Sequence, residues 1–401
     1  MSCEKSQTRI MKTKMNFNMW IPTRILFGAD ELQNLHRQAM PGSKALLVIS
    51  NGKSTRTNGY LATTEEQLRM AGVESVVFDR IEANPLKSTV MAGAASARGN
   101  GCDMVVALGG GSVMDAAKAI ALMATNGGDL WDYVSGGTGK GMKPAHEPLP
   151  LIAISTTAGT GSEADVWGVI TNAETHEKIG VEGAFPVLSI VDPRLMLTVP
   201  PAFTAYQGFD ALFHSVESYI SKFANLVSDM YALTAIENIA RNLPRAVTDG
   251  NDLEARTRVA FGNTLSGVVM CLSATTSQHS MEHAMSAYHQ ELPHGAGLIM
   301  LSKAYFSFFI EKHVCDDRFV WMARAMGMEE ASKPEDFITA LTRLQEACGV
   351  LDLKMSDFGI ASDELRRMTF NAFDTMPALF ESDRHRLSID ECLGIYTAAY
   401  R

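Results

Sequence analysis

The first half of the chain alternates short apolar runs with segments whose apolar residues recur at helical spacing. The short runs are rich in Val, Ile and Leu and predict β-strands, whereas the segments between them predict α-helices. Strands separated by helices form a parallel sheet covered on both faces, with a ligand crevice at the carboxyl ends of the strands. The predicted strands are residues 44–50, 74–79, 103–108, 151–155, 169–171 and 187–191, and the predicted helices are residues 65–70 and 90–98.

The pattern changes after Asp192-Pro193 and Val199-Pro200-Pro201. Beyond these prolines, apolar residues follow a period of 3.6 over long segments, which include residues 210–220, 227–239 and 255–271. Because consecutive prolines break any continuing element, we place a domain boundary there. The sequence therefore predicts an α/β domain over residues 1–195 and an all-α domain over residues 196–401.

Composition, charge and cysteine spacing restrict the class of protein. The chain has 401 residues and a formal net charge of −10, which excludes a general phosphate-neutralising surface for nucleic acid. No apolar run approaches the ~18 residues of a membrane span. The basic segment 1–14 lacks the apolar run of a secretory signal, which leaves a transit peptide as the alternative. The six cysteines are too widely spaced for a CxxC pair or a disulfide scaffold. We therefore expect a cytoplasmic protein without a membrane or nucleic-acid partner.

Three loops that follow predicted strands carry residues suited to a nucleotide. Gly109-Gly110-Gly111-Ser112 opens a helix, where close backbone approach and free N–H groups favour a phosphate, although a tight turn is the alternative. Residues 156–163, TTAGTGSE, suit a ribose or pyrophosphate, or form only a turn. The loop at residues 50–56 contains Gly-Lys-Ser, but Leu47 stands where a P-loop requires glycine. We therefore exclude a P-loop kinase or ATPase.

The helical half holds a cluster of candidate metal ligands. Asp210 and His214 are four residues apart, as are His279 and His283, so each pair shares one face of a helix. His294 follows, and four of the ten histidines fall within residues 278–295. A carboxylate with imidazoles on converging helices is a ligand set for iron or zinc that leaves a position open to substrate. No Gly-x-Ser-x-Gly motif occurs, so we set a hydrolase aside.

Four segments jointly resemble the iron-containing (group III) alcohol dehydrogenases. They are Gly109-Gly110-Gly111-Ser112 with Asp115, residues 156–163, residues 208–214 (GFDALFH), and His279-Ser280-Met281-Glu282-His283 followed by Pro293-His294-Gly295. The resemblance implies a Rossmann-like dinucleotide-binding domain, an α-helical C-terminal domain and an active site in the cleft between them. It also implies an iron-dependent, nicotinamide-linked enzyme that interconverts a short-chain aldehyde and a primary alcohol.

The same resemblance implies roles for individual residues. His283 matches an active-site histidine beside the nicotinamide. The implied ligands of Fe²⁺, or of Zn²⁺ as the alternative, are Asp210, His214, His279 and His294. The implied cofactor contacts are Ser50, Asn51, Gly52, Lys53, Gly110, Gly111, Ser112, Asp115, Thr156, Thr157, Ser162 and Lys178.

Two departures from the family pattern concern the helical half. The interval between His279 and His294 is one residue longer than usual, which brings His289 near the site, or leaves it a bystander. The family's Asn-Pro-Arg near the C-terminus is replaced by residues 382–386, SDRHR, which include no implied ligand.

A third departure concerns the choice of cofactor. Ser50 stands about where many NAD-preferring members have Asp. An acidic residue there would accept hydrogen bonds from the ribose 2′-OH and repel a 2′-phosphate. Because the acid is absent and Lys53 and Arg56 lie nearby, we predict NADP, with NAD as the alternative.

The sequence leaves other functions open. Within the superfamily they are a glycerol-dehydrogenase-like or other polyol or hydroxy-acid oxidoreductase, and a metal-free maleylacetate reductase, which the intact ligand set disfavours. Outside enzymes, the alternative is a non-catalytic nucleotide-binding regulatory protein. Trp167 falls where the family lines its pocket and predicts a narrow site for a short alcohol or aldehyde, unless it is a core residue. We expect a homo-oligomer, with a dimer as the default.

Overall fold

A computed structural model of this chain describes residues 13–401. Apart from Thr13 and Lys14, the N-terminal segment 1–14 that we considered as a targeting signal lies outside the described residues, as does Cys3. The five cysteines within them are free.

A parallel sheet organises the first half of the chain. The strands of the described residues are β1 (Arg24–Phe27), β2 (Lys44–Ser50), β3 (Glu74–Ile81), β4 (Met104–Gly109), β5 (Leu151–Ser155), β6 (Trp167–Asn172), β7 (Glu177–Glu182) and β8 (Pro186–Val191). Six of them form one sheet in the order β1-β8-β5-β4-β2-β3, and every neighbouring pair is parallel. Along β2, Leu46 and Val48 face one hydrophobic core, whereas Ala45 and Leu47 face another. The sheet is thus covered on both faces, as its aliphatic strands require.

The structure confirms the predicted parallel sheet and corrects one strand. Residues 169–171 do lie in a strand, but that strand is β6, which pairs antiparallel with β7 in a separate ribbon. The sequence pattern missed β7 because its Glu177 and Lys178 are charged, although distant parts of the chain bury both. It also missed the four-residue edge strand β1, which is too short to show a period.

Helices cover the sheet and make up the second half. They are α1 (Ser54–Thr57), α2 (Tyr60–Met70), α3 (Lys87–Gly99), α4 (Gly111–Thr125), α5 (Pro201–Ile220), α6 (Leu226–Thr248), α7 (Leu253–Leu272), α8 (Ser277–Tyr288), α9 (His294–Glu311), α10 (Asp316–Ala325), α11 (Glu335–Ala347), α12 (Leu365–Thr375), α13 (Pro377–Ser382) and α14 (Ile389–Ala399). No β-strand lies within residues 201–401, all of which the structure describes, and this confirms the predicted α-helical half.

Helix α5 is the central helix of this half. It begins at Pro201, where the missing N–H of proline costs no helical hydrogen bond. Most of its residues are buried, because it packs against α6, α7 and α9. Side chains on its inner face therefore lie deep in the molecule, where a polar group needs a partner.

Length and hydropathy show whether any of the helices of the described residues could span a membrane. None of them alone is long and apolar enough to cross a membrane. Two consecutive helices have the length and composition of a membrane span only when they are taken together, and the chain bends by 107° between them. They are Leu253–Leu272 and Ser277–Tyr288.

Candidate active site

A cleft of about 1530 Å³ lies between the α/β half and the helical half. The α/β half contributes residues from the segment after β5, from the β6–β7 ribbon and from the coil at residues 133–148. The helical half contributes four of the histidines discussed above, together with apolar residues of α7 and α13. The lining includes Thr160, Ser162, Trp167, Val169 and Lys178 from the first half, and His214, Met270, His279, His283, His294 and Leu379 from the second.

The glycine-rich loop at the end of β4 packs directly against the loop after β5. A Cβ atom on Gly110 would lie 2.7 Å from Thr157 Oγ1, and one on Gly111 would collide with the Thr160 side chain. Glycine is therefore required for this close approach of the two loops. No side chain of the described residues caps the start of α4, so its first N–H groups are free to meet a phosphate.

Two of the three predicted cofactor loops are in direct contact at this edge of the sheet. Thr156 N donates to Gly109 O at 3.0 Å, which joins the loop after β5 to the loop after β4. Ser50 ends β2, the neighbour of β4, and residues 51–53 follow it, with Lys53 exposed. Arg56 is already paired with Asp79 at 2.7 Å, with half of each side chain exposed. These loops form the crevice expected at the carboxyl ends of parallel strands.

Two other predicted cofactor residues bond to each other beneath that crevice. Ser162 Oγ donates to Asp115 Oδ1 at 2.8 Å and accepts from Lys118 Nζ at 2.7 Å. The Lys118 ammonium also donates to Asp165 Oδ1 at 2.7 Å, and both side chains are almost completely buried. Burial raises the pKa of Asp115 to about 6, against the opposing effect of Lys118. Sequence reasoning missed Lys118, although a lysine one turn after Asp115 in the largely apolar helix α4 was a usable signal.

The candidate metal ligands converge from three helices. Asp210 and His214 lie on α5, His279 on α8, and His294 is the first residue of α9. Asp210 Oδ1 lies 3.6 Å from His279 Nε2 and 3.4 Å from His294 Nε2. The ligand atoms of these three residues all lie within 4.8 Å of one another. His214 lies beside this triad, with Nδ1 3.6 Å from Asp210 Oδ1 and its ring stacked on His279 at 4.5 Å between centroids.

Three of the four candidate metal ligands have a polar atom that is buried without a hydrogen-bond partner among the described residues. These atoms are Asp210 Oδ1, His214 Nδ1 and His279 Nε2. Such atoms are costly to bury unless a ligand satisfies them, and a carboxylate with imidazoles matches a divalent transition metal. Burial lowers the pKa of His214 to about 3, so its imidazole is neutral, as metal ligation requires. The donor set therefore fits iron or zinc.

A buried carboxylate stands behind each of two candidate ligands. His279 Nδ1 donates to Glu217 Oε1 at 2.6 Å, and His294 Nδ1 bonds to Glu282 Oε2. A carboxylate on Nδ1 fixes the ring so that Nε2 is left with its lone pair toward the metal. Sequence reasoning assigned no role to Glu217 or Glu282. The signal for Glu217 was its position seven residues after Asp210, on the same helix face.

Glu217 is itself held by a buried network of hydroxyl groups. Its Oε2 accepts from the Thr276 backbone N–H at 2.8 Å and from Thr276 Oγ1 at 3.0 Å. The Tyr305 hydroxyl lies 2.9 Å from Thr276 Oγ1 and 3.1 Å from Asp383 Oδ1. Asp383 belongs to the segment that replaces the family's Asn-Pro-Arg, so this departure reaches His279 through Tyr305, Thr276 and Glu217.

His283 and His289 have different surroundings. His283 lines the cleft one turn after His279, with its ring centroid 5.3 Å from that of His294. Burial is the main reason that the pKa of His283 lies well below its usual range, and the nearby charge of Lys178 lowers it further. The ring is therefore neutral. His289 instead pairs with Glu364 at 3.2 Å, outside the centre, as a bystander would. Lys178, a predicted cofactor contact, lies against Glu282 and His294.

Comparisons with known proteins agree with this arrangement. Residues 22–193 match the family described as iron-containing alcohol dehydrogenase, and residues 204–400 match the C-terminal domain of the Fe-containing alcohol dehydrogenase family. The chain is 36% identical over 358 residues to the 1,3-propanediol dehydrogenase of Klebsiella pneumoniae, a match that covers 85% of this chain and 90% of that protein. It is 29% identical over 375 residues to the NAD-dependent methanol dehydrogenase of Bacillus methanolicus, covering 89% and 93%.

The fold comparison leads to the same family. The chain is similar to the crystal structure of an archaeal halo-thermophilic alcohol dehydrogenase from a Red Sea brine pool, with a TM-score of 0.91 and 32% identity. That similarity covers 96% of this chain and 99% of the archaeal one. The expected α/β and α-helical halves and the family resemblance are thereby confirmed. The chain therefore belongs to the family of iron-containing alcohol dehydrogenases, which are oxidoreductases that act on alcohols.

Proposed function

We propose that this chain catalyses reversible hydride transfer between NADP and a short-chain aldehyde or primary alcohol, with Fe²⁺ at the histidine centre. The observation that carries this proposal is the set of buried ligand atoms on Asp210, His214 and His279 that have no hydrogen-bond partner among the described residues, with both histidines at the wall of the cleft. His294 completes the proposed ligand set, and Zn²⁺ is the alternative ion.

The proposed mechanism divides the work between the bound groups and the chain. The metal ion would act as a Lewis acid on the substrate oxygen, and the nicotinamide would carry the hydride. Glu217 and Glu282 orient His279 and His294 through their Nδ1 atoms. His283 is neutral and lines the cleft, so it is suited to position substrate or to move a proton. The fit of the donor set and the family relationship support these roles.

For the cofactor, we propose the phosphate-binding edge formed by residues 50–53, 110–112 and 156–157. The free N–H groups at the start of α4 support a pyrophosphate there. NADP over NAD is supported by Ser50 and by the exposed Lys53, whereas the Arg56 guanidinium is engaged by Asp79. The methanol dehydrogenase relative is named as NAD-dependent, so NAD is the competing cofactor.

For the substrate, we propose a short-chain alcohol or aldehyde. Trp167, Met270 and Leu379 give the cleft an apolar wall, which favours a small aliphatic group. A diol or other polyol is the second candidate. It is favoured by the 1,3-propanediol dehydrogenase relative and by Ser273 and Thr275, whose hydroxyl-bearing side chains also line the cleft.

For the intact enzyme, we propose a homodimer in the cytoplasm. Met15, Phe17 and Trp20 are large exposed apolar residues on the segment that runs beside the start of α6. An exposed apolar surface of this kind is typical of a protein–protein interface, and a second copy of the chain is the proposed partner. Sedimentation of the wild type and of Trp20→Ser would test this, because the substitution should weaken the dimer.

The reaction is tested with metal-loaded protein, both nicotinamide cofactors and a panel of short alcohols, aldehydes and diols. We expect the near-ultraviolet absorbance of reduced nicotinamide to change with at least one short-chain substrate. His214→Ala and His279→Ala should lose both metal and activity while they keep the fold by circular dichroism. Full metal occupancy in both variants would overturn the ligand set. A wild type without turnover on any substrate would favour a regulatory role instead.

A further inference from the structure

The histidine centre contains two overlapping ligand sets. One is Asp210, His279 and His294. The other is Glu282, His283 and His294, whose ligand atoms also lie within 4.8 Å of one another. One carboxylate with two imidazoles is sufficient to attract a divalent transition metal. Both sets use His294, but its Nε2 faces Asp210 Oδ1 and its Nδ1 faces Glu282 Oε2, so this one ring can bridge two ions.

The side chain of Lys178 occupies the second set. Its Nζ lies 3.3 Å from Glu282 Oε2, 2.8 Å from Ser286 Oγ and 3.4 Å from His294 Nδ1. Lys178 is buried and extends from β7 in the α/β half to α8 and α9 in the helical half. A positive charge so close to Glu282 Oε2 offsets the charge of the carboxylate, whose Oε1 has no hydrogen-bond partner among the described residues, and it repels a second cation.

The neighbouring backbone is adapted to the Glu282 side chain. A Cβ atom on Gly297 would lie 2.7 Å from Glu282 Cγ, so glycine at this position leaves room for the carboxylate beside His294. With Glu282 bonded to His294 Nδ1, the Nε2 atom of the same ring faces Asp210 Oδ1 at 3.4 Å. Lys178 thus contacts His294 Nδ1 directly and also holds the Glu282 carboxylate beside it.

We propose that the Lys178 ammonium is a built-in cation that fills the Glu282, His283 and His294 set, so that the centre takes one metal ion per chain. This inference rests on the metal centre of the proposed function. Lys178 is then a positioning residue: it keeps Glu282 available to His294 Nδ1 and leaves His294 Nε2 for the Asp210 set. Removing its charge opens a second metal site.

The test is the metal stoichiometry of the full chain, titrated with Co²⁺ and followed by visible absorption and elemental analysis, with Zn²⁺ in parallel. We expect one equivalent in the wild type and two in Lys178→Met. Lys178→Gln keeps a donor for Ser286 and should also bind two equivalents, which covers the case in which the methionine variant does not fold. Lys178→Arg should bind one.

Two further variants identify the source of the second equivalent. Lys178→Met with Glu282→Gln should return to one equivalent, because the second set has lost its carboxylate. Glu282→Gln alone should weaken binding of the first ion by roughly 10- to 100-fold, the usual effect of losing a carboxylate behind a ligand histidine. Lys143→Met is the matched control: it removes another cleft lysine and should bind one equivalent.

The outcomes separate this inference from the proposed function. A wild type that binds no ion contradicts the metal centre itself. A wild type with one equivalent, together with Lys178→Met and Lys178→Gln variants that also bind one, overturns only the role of Lys178. Two equivalents in the wild type would overturn it as well, because the ammonium would then not exclude a second ion.

Discussion

The glycine-rich crevice lies at the carboxyl ends of the parallel strands, whereas the histidine centre lies among helices, and the two differ in how their buried charges are paired. Beneath the crevice, Lys118 is fully paired with Asp165 and Ser162, and the exposed edge offers free backbone N–H groups. At the centre, Asp210 and His279 keep atoms without a partner among the described residues. A site that leaves buried charged groups unsatisfied indicates a ligand that supplies the opposite charge. We therefore expect the buried charges beneath the crevice to stabilise the fold and those at the centre to bind a ligand.

The largest predicted effect tests the centre. His283→Ala should lower kcat by about 10²- to 10⁴-fold, because it removes a neutral imidazole placed to orient substrate or to transfer a proton. Metal content, NADPH binding and the free energy of unfolding should stay close to the wild type, since His283 is outside the proposed ligand set. Steady-state kinetics, elemental analysis and cofactor titration measure the three quantities. Metal loss would make His283 a ligand instead.

The next prediction tests the crevice. Lys118→Met should lower the free energy of unfolding by about 3–5 kcal/mol, because it leaves the buried Asp165 and Asp115 carboxylates without their cation. Denaturant unfolding measures this change. Lys140→Met is the control, because its ion pair with Asp132 is largely exposed on the lysine side and should give no measurable change. Equal stability of the two variants would contradict the structural role of the crevice charge.

The comparison also explains which parts of the site the sequence could predict. The strand-loop-helix at Gly109-Gly110-Gly111 and the pairs Asp210/His214 and His279/His283 are local patterns, and the structure places them on the elements that their spacing predicts. Hydrophobic period likewise predicted the buried strands, because burial on both faces leaves an aliphatic run.

The parts of the site that the sequence does not predict depend on contacts between distant segments. Lys178 and Glu282 are 104 residues apart in sequence, and no periodic pattern links them. The resemblance implies cofactor contacts for Asp115 on α4 and for Ser162 after β5, but both side chains are buried and bond to each other. The buried Lys118 ammonium favours the interior for Ser162. A sequence motif identifies the residue at a position. It does not predict which way the side chain points, because that depends on charged groups from distant segments.

A smaller predicted effect tests whether the charge at position 50 controls the choice between NADPH and NADH. Ser50→Asp should shift the ratio of NADPH to NADH affinity toward NADH by roughly tenfold, because a carboxylate at this half-buried position repels a 2′-phosphate through partly screened electrostatics. Ser50→Asn is the control, since it has nearly the shape of Asp without the charge. Fluorescence titration with both reduced cofactors measures the ratio. Equal or tighter NADPH binding by Ser50→Asp would contradict the predicted preference.

The smallest effect tests how far the centre extends into the helical half. Tyr305→Phe removes a hydroxyl that bonds both Thr276 and Asp383, and Thr276 in turn holds Glu217 behind His279. A buried hydrogen bond contributes about 0.5–1.5 kcal/mol, so metal affinity should fall by roughly two- to tenfold.

Tyr396→Phe is the matched control for that substitution. Its hydroxyl is also buried and donates to Met281 O at 2.6 Å on the ligand helix α8, but it does not join the network behind Glu217. Both variants should lose a similar amount of stability, because each breaks a buried hydrogen bond. Only Tyr305→Phe should release Co²⁺ more readily to a competing chelator. Equal metal affinities in the two variants would contradict this prediction. Metal binding would then depend only on the ligands and on the carboxylates that contact them.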